Sequence, residues 1–315
     1  MAYRIEASER VPDAVRRIAH EQIAKSLDEI EDKEIGSDET VHRVRKRCKK
    51  MRGLIRLARP AFEDTYREEN ASLRDAARRL SSLRDAASMG ECVHAFARRY
   101  GADIDDDVFE AIGQRLRCHH TTTNNISDAE EKLAAFAADM NAVRARVKTW
   151  AFDPEGFDFL VAGAEKTYKR GVRAMKVAYA DPTETTFHQW RKRVKYHWYH
   201  MRLLRNLWTP VLGARAGAIH RLSDLLGEEH DLAVLRRLLG DSSGRFGNPT
   251  ELHAVLGLID TRRDELQAWA HPLGLRVYAE RPAKLSGRLC RYWDAWLAEQ
   301  LLEGALPREA AEVYS

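Results

Sequence analysis

A basic segment that occurs twice, in the same register, constrains this chain more than any other feature. Residues 41–62 contain nine lysines and arginines and no acidic residue, and residues 185–223 contain eight and again none. An offset of 146 brings His42 onto His188 and Arg56 onto Arg202, and it is kept over more than forty residues. A register held over that length predicts an internal duplication, with two cationic helices related by an approximate twofold axis.

The first basic segment has two distinct faces when it is read with the period of an α-helix. An apolar stripe is formed by Val44, Cys48, Met51 and Ile55. Another face collects cations and a histidine, namely His42, Arg45, Lys46, Lys49 and Arg56. Solvated helices usually mix the two signs of charge, because pairs four residues apart stabilise them. A solvated face remains the alternative for one helix taken alone, but the second copy favours anion binding.

Charge is segregated along the chain. The net charge is only +4, yet the two acid-free windows contribute +9 and +8, which leaves −13 for the remainder. Such a distribution favours a focused positive field over a generally basic surface. The length of 315 residues and the repeat predict two domains, residues 1–150 and 151–315, joined at residues 152–156.

The sequence predicts an all-α fold in which each half is a helical bundle, because strand signals are nearly absent and amphipathic windows fill the chain. In the first half the predicted helices cover 8–30, 37–60, 73–80, 86–100, 105–117 and 128–150. In the second they cover 157–179, 185–208, 212–227, 231–239, 249–270, 272–280 and 283–302. We expect Ser37 or Asp38 to cap the basic helix, Pro60 to end it, and Asp231 to begin a helix.

Four scattered cysteines without a C-x-x-C pair predict neither a disulfide framework nor a zinc site. No signal peptide is recognised at the N-terminus, and no apolar run approaches the length of a membrane span. These observations predict a cytoplasmic protein with no membrane partner.

The histidines suggest a metal site, but their surroundings argue against one. His197 and His200 lie three residues apart, and His119 and His120 are adjacent. His42 and His188 have cationic neighbours, which would repel a metal ion. We therefore predict no metal and no cofactor, and we expect the histidines of the basic helices to donate hydrogen bonds to an anion.

No arrangement typical of catalysis occurs in the sequence. Residues 29–33 read EIEDK, which matches the E-x-E-x-K pattern of CYTH-type triphosphate tunnel enzymes, but here it ends a helical window and is interpreted as a coincidence. No nucleophile–base pair, P-loop or dinucleotide fingerprint is present, so we do not expect an enzyme. Tryptophans 190, 198 and 208 could stack on nucleic-acid bases. Trp190 falls on the buried stripe, core packing is favoured for most of them, and Trp198 stays ambiguous.

Two spaced motifs resemble those of the CHAD domain, the conserved histidine α-helical domain. They are His42-x-x-Arg45-x-x-x-Lys49-Lys50-x-Arg52 and His188-x-x-Arg191-x-x-x-Lys195-x-x-x-Tyr199, together with Asp85 and Asp231 further along. The resemblance covers roughly residues 7–302. It implies two bundles with pseudo-twofold symmetry around a basic central channel that binds inorganic polyphosphate. It also implies a place at polyphosphate granules, with granule proteins as further partners, and no enzymatic activity.

The resemblance and the helical phase together define the candidate polyphosphate-binding residues. The family's residues carry over to His42, Arg45, Lys49, Arg52, His188, Arg191 and Lys195, and Lys50 and Tyr199 of the two motifs are included as candidates. Helical phase alone adds Lys46, Arg56, Lys192 and Arg202, and the flanking helices add Arg17, His20, Lys166, Lys169, Arg170 and Arg173. Two positions depart from the family pattern: Trp198 stands where an arginine is usual, and Arg202 where an acid often follows.

Two other functions remain as alternatives. A nucleic-acid-binding helical module would use the same cations but would add exposed aromatic side chains or groups that read base edges. A metal-dependent phosphohydrolase would need a metal or a carboxylate pair in the basic groove, and the acid-free windows argue against it. Polyphosphate has no sugar and no base, so spaced cations suffice to bind it, and nucleic acid is the less favoured partner.

Overall fold

The computed structural model describes residues 3–100, 112–114, 126–241 and 249–304. Ten long α-helices and two 3-10 turns, without a β-strand, make up these ranges, which confirms the all-α prediction. The helices are α1 (Val11–Glu31), α2 (Ser37–Ala58), α3 (Glu63–Arg79), α4 (Ser81–Tyr100), α5 (Ile126–Val147), α6 (Asp158–Ala180), α7 (Glu184–Leu203), α8 (Thr209–Asp241), α9 (Pro249–Val277) and α10 (Pro282–Leu302). The predicted helix over 105–117, the predicted loop over 242–249 and the C-terminal tail over 306–315 lie largely or wholly outside the described residues.

Helix α2 is the basic helix of the first half, and its buried stripe is confirmed. Val44, Cys48, Met51 and Ile55 are all almost completely buried. The predicted cap is wrong: Gly36 occupies the N-cap in an extended conformation, and no side chain bonds to this helix end. Asp38 and Glu39 instead lie in the first turn, where negative charge interacts favourably with the helix dipole.

Helix α7 is the basic helix of the second half. Thr183 and Thr186 form a capping box, in which the Thr186 amide donates to Thr183 Oγ1 at 3.2 Å and the Thr183 amide donates to Thr186 Oγ1 at 3.0 Å. Trp190 is fully buried, as the repeated register predicts. The helix ends at Leu203, and a 3-10 turn over Arg205–Trp208 follows.

The prediction of two helices over residues 212–239 is wrong, because the single helix α8 covers them. It runs without a break, so Asp231 lies inside it and does not begin a helix. The chain has no proline between Val211 and Asp241, and a single helical glycine weakens a helix without ending it. The buried carboxylate of Glu229 also ties this region to α9, because it accepts hydrogen bonds from Arg263 at 2.9 Å and Gln267 at 3.2 Å.

The prediction of separate helices over 249–270 and 272–280 is also wrong, because α9 continues through Pro272. A proline inside a helix removes one backbone hydrogen bond, and here contacts with α6 and α7 lie on either side of it. Two residues beyond the proline, Gly274 lies so close to Met175 and Trp190 that an added Cβ would be 2.9 Å from each side chain. One turn before the proline, the Tyr179 hydroxyl donates to the Gln267 carbonyl oxygen at 2.7 Å.

The main hydrophobic core contains residues from both halves of the chain, from Tyr3 to Trp296. A second core joins α4 to α8 and α9, through residues such as Phe96, Leu235 and Val255. The division into domains 1–150 and 151–315, and the duplication behind it, remain predictions.

Candidate functional site

The two basic helices meet at Gly53 of α2 and Tyr199 of α7. A Cβ atom on Gly53 would lie 3.0 Å from the Tyr199 Cβ, so glycine permits this close approach. Next to the contact, His200 Nε2 donates to the Gly53 carbonyl oxygen at 3.0 Å. Residues 53 and 199 are related by the offset of 146. Contact between equivalent positions is the pattern that a twofold axis at this point would produce.

Lys50, Lys46, Lys195 and Arg202 gather on one side of this contact. Lys50 is only 7% exposed, and burial lowers the pKa of its ammonium to about 8, with smaller effects from the charges of Arg47, Arg202, Lys46 and Lys25. The pKa of Lys195 is lowered by burial and then by Arg191, while Asp224 acts in the opposite direction. Ammonium groups from both helices therefore share one partly desolvated space.

The other side of the contact holds a second group of cations, Arg52, Arg56, Lys192, Arg193 and Arg170. Burial lowers the pKa of Lys192, and Arg193, Arg52 and Arg56 lower it further, against an opposing effect of Tyr196. The pKa of Arg193 falls through burial and through the charges of Arg56 and Arg170. The Arg56 guanidinium lies over the Tyr196 ring, 4.2 Å from its centroid.

Both groups together are called the central cation cluster below. None of its nine members has a carboxylate within 4 Å in the described part of the chain, and neither does Arg191 beside them. Neighbouring arginines on α2 are neutralised instead. Arg43 donates to Glu39 Oε1 at 2.7 Å, and Arg47 forms an ion pair with Glu29 of α1. Positive charge is thus concentrated on the sides of α2 and α7 that face each other.

Two neutral histidines lie beside the cluster on α7 and α8. The rings of His188 and His230 are 4.3 Å apart between centroids. Burial, followed by the charges of Lys192 and Arg191, lowers the pKa of His188 to about 4, and burial with smaller effects of His188 and Arg191 lowers that of His230 to about 3. Nδ1 of each ring has no hydrogen-bond partner among the residues described, so both can donate to an added ligand.

Several predicted site residues have structural contacts instead. Arg17 binds Glu9 at 2.6 Å and Glu21 at 2.7 Å, which raises its pKa. His20 has a lowered pKa, because of burial and the charges of Arg144 and Lys148 on and just after α5. Arg45 Nη1 donates to the Ala77 carbonyl oxygen of α3 at 2.9 Å.

The remaining predicted site residues differ in their exposure to solvent. Lys166, Lys169 and Arg173 are exposed on α6, whereas Arg170 of that helix reaches Arg193 in the central cation cluster. Lys49 is exposed on α2, and His42 is half-buried near its start. Tyr199 is only 2% exposed at the helix contact.

Arg193 is a member of the cluster that sequence reasoning left out. It corresponds through the offset of 146 to Arg47, which the helical phase places off the cationic face. The two halves differ here because Glu29, the partner of Arg47, corresponds to Met175. The absence of an acid at that equivalent position is the signal that could have identified Arg193.

The aromatic side chains near the cluster hold cations in place. Trp198, the ambiguous tryptophan of the sequence, is 9% exposed and is approached by Lys195 Nζ at 4.9 Å and by Arg202 at 4.8 Å from its ring centroid. Such cation–π contacts stabilise a cation without neutralising it. Within the described ranges, no group of three or more His, Cys, Asp or Glu side chains is placed to hold a metal ion, and no helix is long and apolar enough to span a bilayer.

Fold and site together define an all-helical protein in which two central helices carry a cluster of cations. The family profile of the CHAD domain matches residues 17–240, and the chain belongs to this family. Its similarity to the family was expected from the two histidine motifs and is confirmed.

Two solved structures are similar to this chain. The crystal structure of the CHAD domain from the plant Ricinus communis aligns with a TM-score of 0.60 at 15% identity, covering 90% of this chain and 96% of that one. PptA from Streptomyces chartreusis aligns with a TM-score of 0.55 at 15% identity, covering 86% of this chain and all of that one. Structural similarity at 15% sequence identity supports the assignment of the fold. No curated protein matched the sequence.

Proposed function

We propose that the protein binds inorganic polyphosphate through the central cation cluster. The observation that carries this proposal is the set of cations on α2 and α7 that have no carboxylate partner and yet are partly desolvated, Lys50 above all. A cluster of like charges is unfavourable without a counter-ion, so a bound polyanion would relieve both repulsion and desolvation. Membership of the CHAD domain family supports the same ligand class.

A chain of phosphates fits this cluster better than a nucleic acid does. The cluster mixes arginines, which bind phosphate oxygens in a fork, with lysines, which act as point charges. Its aromatic side chains are occupied, since Trp198 and Tyr196 already lie against cations and Trp190 is fully buried. A ligand without bases requires no stacking platform, whereas single-stranded nucleic acids gain much of their binding energy from one.

Binding without hydrolysis is part of this proposal. Catalysis of phosphate transfer would need a metal ion or a carboxylate close to the phosphates. The carboxylates of Glu29 and Glu39, which lie beside the basic helix α2, are engaged with Arg47 and Arg43. The wider proposal also includes a cytoplasmic location and association with polyphosphate granules, both of which would follow from binding.

Competition between polyanions tests the ligand class. We expect long-chain polyphosphate to displace a fluorescent polyphosphate probe at a concentration at least about tenfold lower than DNA or RNA at equal phosphate concentration. Each reaction is run at two salt concentrations, because phosphate binding weakens as salt rises. Equal competition by RNA at physiological salt would contradict the proposal and favour the nucleic-acid-binding module.

Polyphosphate affinity is also expected to fall between about pH 7 and about pH 9, because of Lys50. Its ammonium has a pKa of about 8 in the free protein, and a bound anion would raise that pKa. At a pH at which Lys50 of the free protein is partly neutral, binding therefore takes up a proton. Because protons become scarcer as the pH rises, the affinity for polyphosphate falls. Without ligand the sign is opposite: between about pH 8 and 10.5 the native state binds fewer protons at Lys50 than the unfolded chain does, so its contribution to stability rises with pH over that range.

Isothermal titration calorimetry in two buffers with different ionisation enthalpies measures this proton uptake. The control is Lys50→Arg, which keeps the cation at all these pH values. Its pH dependence should be flatter than that of the wild type. Identical profiles for the two proteins would show that Lys50 does not contact the ligand.

A further inference from the structure

A cavity of about 430 Å³ lies at one edge of the central cation cluster, between α1, α7 and α8. Five cations line it: Arg4, Lys25, Lys50, Arg202 and Arg205. Tyr3, Gln22 and Trp198 contribute to its walls, and no acidic residue is among the described residues that line it. The cavity therefore shares the positive charge of the cluster.

Two buried polar side chains line this cavity. Lys50 is only 7% exposed, and its ammonium lies 5.5 Å from the centroid of the Tyr3 ring, with no ion pair in the described part of the chain. Gln22 is 1% exposed, and its carboxamide oxygen has no hydrogen-bond partner among the described residues. Buried acceptors are nearly always satisfied in folded proteins, so the Gln22 oxygen, beside an unneutralised ammonium, points to a bound ligand.

The N-terminal segment, residues 3–5, forms one wall of the cavity. The Tyr3 hydroxyl donates to the Lys50 carbonyl oxygen at 2.7 Å, and the Ile5 amide donates to the Leu203 carbonyl oxygen at 3.1 Å. Asn206 Nδ2 donates to the Ile5 carbonyl oxygen at 2.9 Å. A chain that follows the cluster toward this edge would meet a fixed segment of backbone.

The corresponding place in the second half has tyrosines where the first half has Lys50 and Gln22. Through the offset of 146, Lys50 corresponds to Tyr196, whose ring lies under Arg56. Gln22 corresponds to Tyr168, whose hydroxyl donates to the Glu280 carbonyl oxygen at 3.0 Å. The two edges of the cluster therefore differ in chemistry.

We propose that this cavity holds the terminal phosphate of a phosphate chain, so that the protein recognises a chain end in addition to internal phosphates. This inference rests on the proposed function. An internal phosphate carries one charge, whereas a terminal phosphate has a further oxygen that ionises near neutral pH and can also carry a proton. That group is compact and more highly charged, and it offers partners to the Lys50 ammonium and to the Gln22 carboxamide.

Comparing a cyclic with a linear phosphate oligomer distinguishes recognition of a chain end from recognition of total charge. Cyclic tetrametaphosphate has no end, and its total charge is close to that of linear tripolyphosphate. We expect the full chain to bind the linear trimer at least about tenfold more tightly than the ring, as one charge-assisted hydrogen bond would produce. Calorimetry measures both, with long-chain polyphosphate and orthophosphate titrated in parallel.

Three variants test whether the preference for the linear trimer over the ring depends on the residues of the cavity. Lys50→Met and Gln22→Met keep the side-chain volume roughly constant and should bring the ratio of the two affinities close to one. Arg56→Met is the matched control, because it removes a cluster cation at the position equivalent to Arg202 but outside the cavity. It should weaken both probes and leave their ratio unchanged.

Each other outcome overturns the inference. If long-chain polyphosphate binds but the ring binds as tightly as the linear trimer, the end is not recognised and the proposed function stands alone. The same holds if Lys50→Met and Gln22→Met both keep the preference. If orthophosphate binds as tightly as the trimer, the cavity is a site for free phosphate. If long-chain polyphosphate does not bind, the proposed function fails and this inference fails with it.

Discussion

Replacing Lys46, Lys192, Lys195 and Arg202 together by alanine is expected to lower polyphosphate affinity by at least about a hundredfold. Each charge-assisted contact contributes about 1.5–3 kcal/mol, and contacts within one cluster do not add fully. Thermal stability without ligand should stay level or rise, because these side chains have no carboxylate partner in the described chain and repel one another. Fluorescence titration measures the affinity, and thermal unfolding measures the stability.

Salt dependence gives this variant a second readout. The slope of log K against log salt should become shallower by about 0.7 for each phosphate contact removed. The control removes four arginines from exposed ion pairs, by substituting alanine at Arg43, Arg74, Arg79 and Arg236. It changes the net charge equally, so an equal loss of affinity in the control would show that general charge, and not the cluster, binds the ligand.

Replacing Gly163 by alanine is expected to destabilise the fold by more than about 3 kcal/mol, at the upper end of the cost of overpacking. Gly163 of α6 lies directly against α2, where an added Cβ would be 1.8 Å from the Leu57 carbonyl oxygen and 2.7 Å from its carbonyl carbon. Backbone atoms cannot rotate away as a side chain can, so the two helices must separate. The midpoint of thermal unfolding should fall by about 5 °C or more.

Gly257→Ala is the matched control for this substitution. Gly257 lies inside α9, is exposed, and would place its added Cβ in open space. There alanine should stabilise the helix by about 0.5–1 kcal/mol, through its higher helix propensity. If Gly163→Ala melts at the temperature of the wild type, the close contact between α2 and α6 is wrong.

The sequence alone determined the local properties of the two basic helices. The period of 3.6 residues identified their buried stripes, and Val44 and Trp190 are buried as predicted. The spacing of histidines and cations was sufficient for the family, because those residues lie within a few helical turns of one another. The breaks at Gly227 and Pro272 were predicted wrongly, since the packing of α8 and α9 outweighs a local preference for ending a helix.

Only the tertiary structure decided which cations lack a partner. Arg17 was a predicted site residue in the sequence, but Glu9 and Glu21 bind it. Helical periodicity gives the direction of a side chain from its own helix axis, and it carries no information about the charge that a distant segment brings opposite. For the same reason Lys50 was one lysine among many, until the contact of α2 with α7 and the N-terminal segment buried its ammonium without an anion.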